Sequence, residues 1–106
     1  YIGLDIRYSR NITIQADSRL LPFRDKVFDF IWASEIIEHL EPQDQEKTVK
    51  EIIRVLKGQT IITYPTERHV NFPKDPTHHK VVIDWKKYGL YRETENGEAI
   101  VVINHP

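Results

Sequence analysis

Glu35, Glu38 and His39 stand at positions i, i+3 and i+4, a spacing that puts two carboxylates and an imidazole on one face of a helix. Oxygen and nitrogen donors converging in this way suit Mg²⁺ or Mn²⁺, and Zn²⁺ or Fe²⁺ less distinctively. His78 or His79, in a later loop, is the expected source of a further ligand, so the metal set read from the sequence is Glu35, Glu38, His39 and His79. Two more acids, Asp5 and Asp17, each close an apolar segment. An acid at a strand end in a nucleotide-binding sheet accepts hydrogen bonds from ribose hydroxyls, and one on the next strand can accept from an exocyclic amine. The plainer alternatives stay open. A strand-end aspartate can simply cap the next helix, and carboxylates in a first helical turn are favoured by the helix dipole alone.

These residues need elements to hold them. Residues 27–33, with Phe28, Phe30, Ile31 and Trp32, form a near-continuous apolar run. Such a run fits a strand covered on both faces in a parallel α/β sheet. Ser34 and Glu35 follow at its C-terminal end, the edge where open α/β sheets bind ligands. Residues 1–6, 11–17 and 60–64 read as further strands, and parallel packing would line up Asp5, Asp17 and Ser34 along one edge. After Glu41-Pro42, the apolar residues Val49, Ile52, Ile53 and Leu56 at i, i+3, i+4 and i+7 predict a helix packed on the sheet. Gln45 and Arg54 fall on its polar face, and Gly58 is placed as its cap.

Residues 66–80 form a long polar loop holding His69, His78 and His79, of the kind that is often functional. Val81, Trp85 and Tyr88 suggest a short helix, and Asn96-Gly97 between β-rich segments predicts a hairpin. The order β-β-β-α-β-α-β-β predicts one α/β domain over residues 1–106. Its expected form is a doubly wound, Rossmann-like, mostly parallel sheet with a C-terminal antiparallel hairpin.

A net charge of -1 gives no global attraction to nucleic acid or membrane. No apolar run approaches the roughly 18 residues of a membrane span, and Asp5 and Arg7 interrupt any signal-peptide core. The chain has no cysteine, so it has no thiolate nucleophile and no sulfur metal site. A cytoplasmic setting is the reading that fits. The chain also has no methionine and opens at Tyr1 inside a strand-like segment. Upstream residues are therefore expected, and the domain is expected to lack its first strand and helix.

Four segments in order carry a resemblance. They are Gly3-Leu4-Asp5-Ile6; Ala16-Asp17-Ser18 with Leu21-Pro22-Phe23; Phe28-Asp29-Phe30-Ile31 with Glu38-His39-Leu40; and Arg54-Val55-Leu56-Lys57-Gly58. Together they resemble class I S-adenosylmethionine-dependent methyltransferases of the type-11-like group, over residues 3–65, with a weaker match in residues 75–90. The resemblance implies that Asp5 holds the ribose of S-adenosylmethionine and that Asp17 with the Ser18 backbone reads the adenine. Ile6 would pack on the adenine, and Ala33 and Ser34 would line the reactive end. The Glu-x-x-Glu-His feature is similar to one in metal-dependent small-RNA 2′-O-methyltransferases and in some quinone-biosynthesis O-methyltransferases. There a metal lowers the acceptor's pKa. Three departures stand out: the glycine-rich cofactor loop is missing, the helix after the Asp5 strand is cut short, and the usual Lys-Pro-Gly-Gly turn is reduced to Lys57-Gly58.

The expected reaction is methyl transfer to an oxygen or nitrogen nucleophile, a reaction that needs alignment more than acid–base chemistry. Glu35 or His79 would serve if a base is needed, and Tyr64 would touch the acceptor. The acceptor itself, a small molecule, RNA or protein, is open, as is a homodimer; residues 74–92 are only mildly basic for RNA. Two rivals remain: a methyltransferase-like module without catalysis, and an NAD-type dinucleotide-binding domain.

Overall fold

The apolar stripe of the first long helix sets the layout. The computed structural model describes residues 3–7, 13–17, 21, 23–69 and 79–104. Helix α1 (Pro42–Val55) starts on a proline in its first turn, where the missing N–H costs nothing. It buries Val49, Ile52 and Val55 completely against the sheet. By count Leu56 belongs to the same stripe. It instead opens strand β4 (Leu56–Pro65), which follows α1 with no loop. Gly58 is therefore not a cap. It sits in β4 where the ladder to strand β3 (Phe28–Ser34) is bulged, and a Cβ there would collide with the Asp29 carbonyl oxygen. Only glycine lets the two backbones approach so closely.

The main sheet has the order β3-β4-β6-β5, with β5 (Leu90–Glu93) and β6 (Glu98–Asn104) forming the expected terminal hairpin. Its turn is closed by the Gly97 N–H donating to the Thr94 carbonyl at 3.0 Å, with Gly97 at φ 84, a backbone setting that favours glycine. β3 and β4 pair in parallel, whereas β4–β6 and β5–β6 are antiparallel. The α/β class stands, with a mixed sheet whose parallel part is the β3–β4 pair.

Strands β1 (Gly3–Arg7) and β2 (Thr13–Asp17) pair antiparallel, with Gly3 opposite Asp17 and Asp5 opposite Gln15. The expectation of two parallel strand ends side by side is thus corrected. A parallel crossover takes a dozen or more residues, and residues 8–12 are too few. β1 lies beside β3.

Two polar residues assigned to the solvent face of α1 turn out to be tethers. Gln45 is fully buried and donates to the carbonyls of Leu40 (3.2 Å) and Lys80 (2.9 Å), while its oxygen accepts from the Val82 N–H (3.0 Å). Arg54 donates to the carbonyls of Phe23 and Leu21, both at 2.9 Å, and to Glu51 and Asp25, both at 2.7 Å. It straps residues 21–25 to the helix. The Arg54 guanidinium, hydrogen-bonded to Glu51, holds that carboxyl below its ordinary range. On the opposite face of β3, Phe30 and Trp32 are half-exposed, and among the described residues no helix covers them.

The predicted helix near Trp85 is a single 3₁₀ turn (Trp85–Lys87) capped by the Asp84 carboxylate, which accepts from the Lys86 N–H. No helix among the described residues is long and apolar enough to cross a membrane.

Candidate functional site

The C-terminal edge of the parallel β3–β4 pair gathers the polar residues. Ser34 ends β3, and its hydroxyl accepts from Thr63 of β4 at 2.9 Å. Ala33, just before it, is fully buried. Glu35 follows at φ 59, an uncommon setting for a non-glycine residue, and its N–H donates to the Thr63 carbonyl at 2.9 Å. The chain therefore leaves the strand through a sharp corner rather than running straight into a helix.

That corner parts the residues of the expected metal set. The helical segment is only a 3₁₀ turn (Ile37–His39), and Glu35 lies outside it. Glu35 is exposed and Glu38 is fully buried, so the two carboxylates meet different surroundings. His39 Nε2 stands 3.8 Å from the Glu38 carboxylate. His79 is brought close through its backbone, its N–H donating to the Glu38 carbonyl at 2.6 Å. Among the described residues no group of three or more His, Cys, Asp or Glu side chains is arranged to hold a metal ion. His78 lies outside the described residues. Positions i, i+3 and i+4 share a face only in an α-helix, and the left-handed backbone at Glu35 takes it out of that geometry.

Instead, Glu35 meets a residue that the sequence reading missed. Glu98, the first residue of β6, is paired in register with Pro65 at the end of β4. Its carboxyl is hydrogen-bonded to that of Glu35 and is pushed up to about 7, first by burial, then by that bond and the repulsion of the second carboxylate, with His69 pulling the other way. The hairpin signal at Asn96-Gly97 was the available clue: the residue after the turn must return to the sheet edge at which β4 ends.

Beside this corner, two adjoining pockets of about 240 and 300 Å³ share Tyr64, Val81 and Tyr91. Tyr64 and Trp85 are buried and stacked with centroids 6.0 Å apart, and the Trp85 indole N–H donates to the Tyr64 hydroxyl oxygen at 2.7 Å. Burial raises the Tyr64 phenol well above its ordinary range. Tyr88 packs edge-on against Trp85, and its hydroxyl donates to Glu46 of α1 at 2.5 Å. Desolvation, followed by that bond to Glu46, lifts the Tyr88 phenol to about 12.

Asp5 and Ile6 lie within β1, and Asp17 ends β2; Ser18 is outside the described residues. Because Asp17 is the register partner of Gly3, Asp5 and Asp17 occupy ladder positions two residues apart. That offset is about 7 Å along the strand.

A family model described as a methyltransferase domain matches residues 4–63. The chain belongs to the methyltransferase-domain family. The match runs from within β1 to Thr63 in β4 and includes Asp5, Asp17, Ser34 and Glu35; Tyr91 and Glu98 of the hairpin fall outside it. The domain is similar to the PH0226 protein of Pyrococcus horikoshii, at 24% identity and TM-score 0.62, covering 86% of this chain and 57% of that one. It is similar to a SAM-dependent methyltransferase of Archaeoglobus fulgidus, at 16% identity and TM-score 0.64, covering 86% and 66%. A third neighbour is the [4+2]-cyclase SpnF, at 15% identity and TM-score 0.69, covering 92% and 57%. The chain thus spans between 57% and 66% of the length of these neighbours. Such likeness gives a Rossmann-like methyltransferase fold. It does not fix the chemistry, since one of the three is named for a cyclisation. No curated protein matches the chain.

Proposed function

We propose that this domain binds S-adenosylmethionine and takes part in transferring its methyl group to an oxygen or nitrogen nucleophile. The observation that carries the reading is the family match over residues 4–63, which takes in Asp5, Asp17 and the Ser34–Glu35 corner. The offset of about 7 Å between the ladder positions of Asp5 and Asp17 supports a reading with a ribose at one and an adenine amine at the other. In this reading Asp5 holds the ribose, Asp17 with Ser18 reads the adenine, Ile6 packs on the base, and Ala33 and Ser34 face the reactive end. Bound S-adenosylmethionine supplies an electrophilic methyl group.

The domain's own task is alignment. The Glu35 turn fixes the direction in which the chain leaves β3, and the Ser34–Thr63 hydrogen bond locks the two strand ends together. Where the acceptor must lose a proton, Glu35 is the exposed carboxylate at this edge, and Glu98, hydrogen-bonded to it, buffers its charge. His79, held against the 3₁₀ turn, is the second candidate base.

Isothermal titration with S-adenosylmethionine and S-adenosylhomocysteine tests the reading. Saturable binding by the protein is expected, with Asp5→Ala weakening it by roughly tenfold or more, as for a lost hydrogen bond to a charged group. Absence of binding to either compound would sink the proposal, and displacement of S-adenosylhomocysteine by NAD would move the domain to the dinucleotide class.

A further inference from the structure

Strand β5 is an outermost strand of the main sheet, and among the described residues no strand pairs with its outer side. All four of its residues are exposed, Leu90 at 73% and Tyr91 at 47%, whereas β6 beside it alternates between buried and half-buried positions. One edge of β5 is bonded and the other is open to a partner.

The ladder fixes which backbone groups face outward. The Thr94 N–H donates to the Glu98 carbonyl at 2.8 Å, so these two residues form a bonded level of the hairpin. Bonded levels alternate in an antiparallel pair. Arg92–Ile100 and Leu90–Val102 are therefore bonded, and the N–H and C=O groups of Tyr91 and Glu93 turn away from β6. The far side of β6 agrees. The Thr63 carbonyl faces β3, where it accepts from Glu35, so Ile62 and Tyr64 bond Val101 and Ala99, leaving Ile100 and Val102 for β5.

A two-fold axis perpendicular to the sheet joins two such edges antiparallel. It must pass through one residue of β5, because paired residues project from the same face. An axis through Arg92 sets two guanidinium groups opposite each other, and one through Glu93 sets two carboxylates so; like charges directly opposite are destabilising. An axis through Leu90 overlaps the two strands at that residue alone. An axis through Tyr91 makes Tyr91 on Tyr91 a bonded level and lays Leu90 beside the aliphatic stem of Arg92. By count it also brings Glu95 level with Lys87 of the other copy. The exposed pair Lys86 and Lys87 before the strand thus meets Glu93 and Glu95 at its end, once on each side of the axis.

We propose that the open edge of β5 docks a second copy of this chain about a two-fold axis through Tyr91, so that the two sheets continue as one. Such a contact occupies the edge it uses, and association stops at the dimer. Four residues a side make a contact below the roughly 1,200 Å² of a standard interface, so the dimer is weak and concentration-dependent. This inference is independent of the transferase reading.

The chain has no cysteine, so single introduced cysteines report the register. In this pairing the two copies of position 91 have Cα atoms about 5.5 Å apart, within reach of a disulfide, and those of position 92 about 8 Å apart, beyond it. Under mild oxidation Tyr91→Cys should cross-link roughly tenfold faster than Arg92→Cys. Sedimentation equilibrium of the parent up to millimolar concentration should show monomer and dimer. Tyr91→Pro should shift it to monomer, since the N–H it removes points away from β6. Lys87→Glu should weaken the dimer, and adding Glu95→Lys should restore it, a rescue that a merely misfolded variant would not give. A parent that stays monomeric, equal cross-linking at the two positions, or no rescue by the charge exchange would each overturn the proposal. So would a dimer undiminished by Tyr91→Pro, which would place the contact on another surface, such as the Phe30 and Trp32 face.

Discussion

Replacing Gln45 with leucine isolates what one buried side chain does for the pocket wall. The amide is fully buried and makes three hydrogen bonds: to the Leu40 and Lys80 carbonyls and from the Val82 N–H. A typical internal hydrogen bond contributes about 1 kcal/mol net, so the three together contribute roughly 3 kcal/mol. Leucine has a similar volume and regains about 1 kcal/mol through added apolar burial, leaving an expected loss of about 2 kcal/mol. In urea, with a slope of about 1–3 kcal/mol/M for a small domain, that loss lowers the midpoint by roughly 1 M. The second readout is local. The Val82 amide loses its acceptor and should exchange like an open loop, while the Ile52 amide inside α1 should track the global change alone. A Gln45→Leu protein within about 0.5 kcal/mol of the parent, inside the usual scatter of surface substitutions, would refute the tether. So would an unchanged exchange rate at Val82.

Two other expectations are independent of this one. Glu98 titrates near 7 in the folded protein, above its ordinary value of 4.5, so its contribution to stability is fully present below about pH 4.5 and is lost as the pH rises through 7. Thermal melts across that window should show Tm falling for the parent and a flatter profile for Glu98→Gln, and Glu35→Gln should lower the Glu98 titration only part of the way in carboxyl ¹³C spectra, because burial, the first cause, remains. Arg54→Lys keeps the charge but loses the planar fork that reaches the Leu21 and Phe23 carbonyls and Glu51 together. A loss of about 1–2 kcal/mol in denaturant melts is expected, as for one or two hydrogen bonds; a neutral substitution would show that residues 21–25 are held by other contacts.

Much of the fold was readable because it depends on local pattern. Val49 and Ile52 announced the face of α1 by their spacing, and Asn96-Gly97 announced the hairpin. The apolar run through Phe28 and Trp32 announced a strand whose end carries the candidate site. The errors share a cause. Gln45 and Arg54 were placed in solvent because helical periodicity says which face a residue occupies and nothing about which segments return to cover that face. Leu56 continued the helical stripe by count, yet a bulged pairing with β3 claimed it for a strand. The parallel alignment of Asp5 and Asp17 overlooked the short connection at residues 8–12, which permits only an antiparallel return.

The sequence by itself determined the kinds of elements, their order and the sheet edge on which chemistry is expected, since apolar period and turn residues act over a few positions. Which acids meet was decided by the tertiary structure. Glu35 parts from Glu38 and His39 because its backbone turns left-handed where the Thr63 carbonyl takes its N–H. It joins Glu98 because β6 returns antiparallel to β4 and sets that residue opposite Pro65. Strand register is a long-range property, settled by pairing between residues far apart in the chain, and no local spacing encodes it.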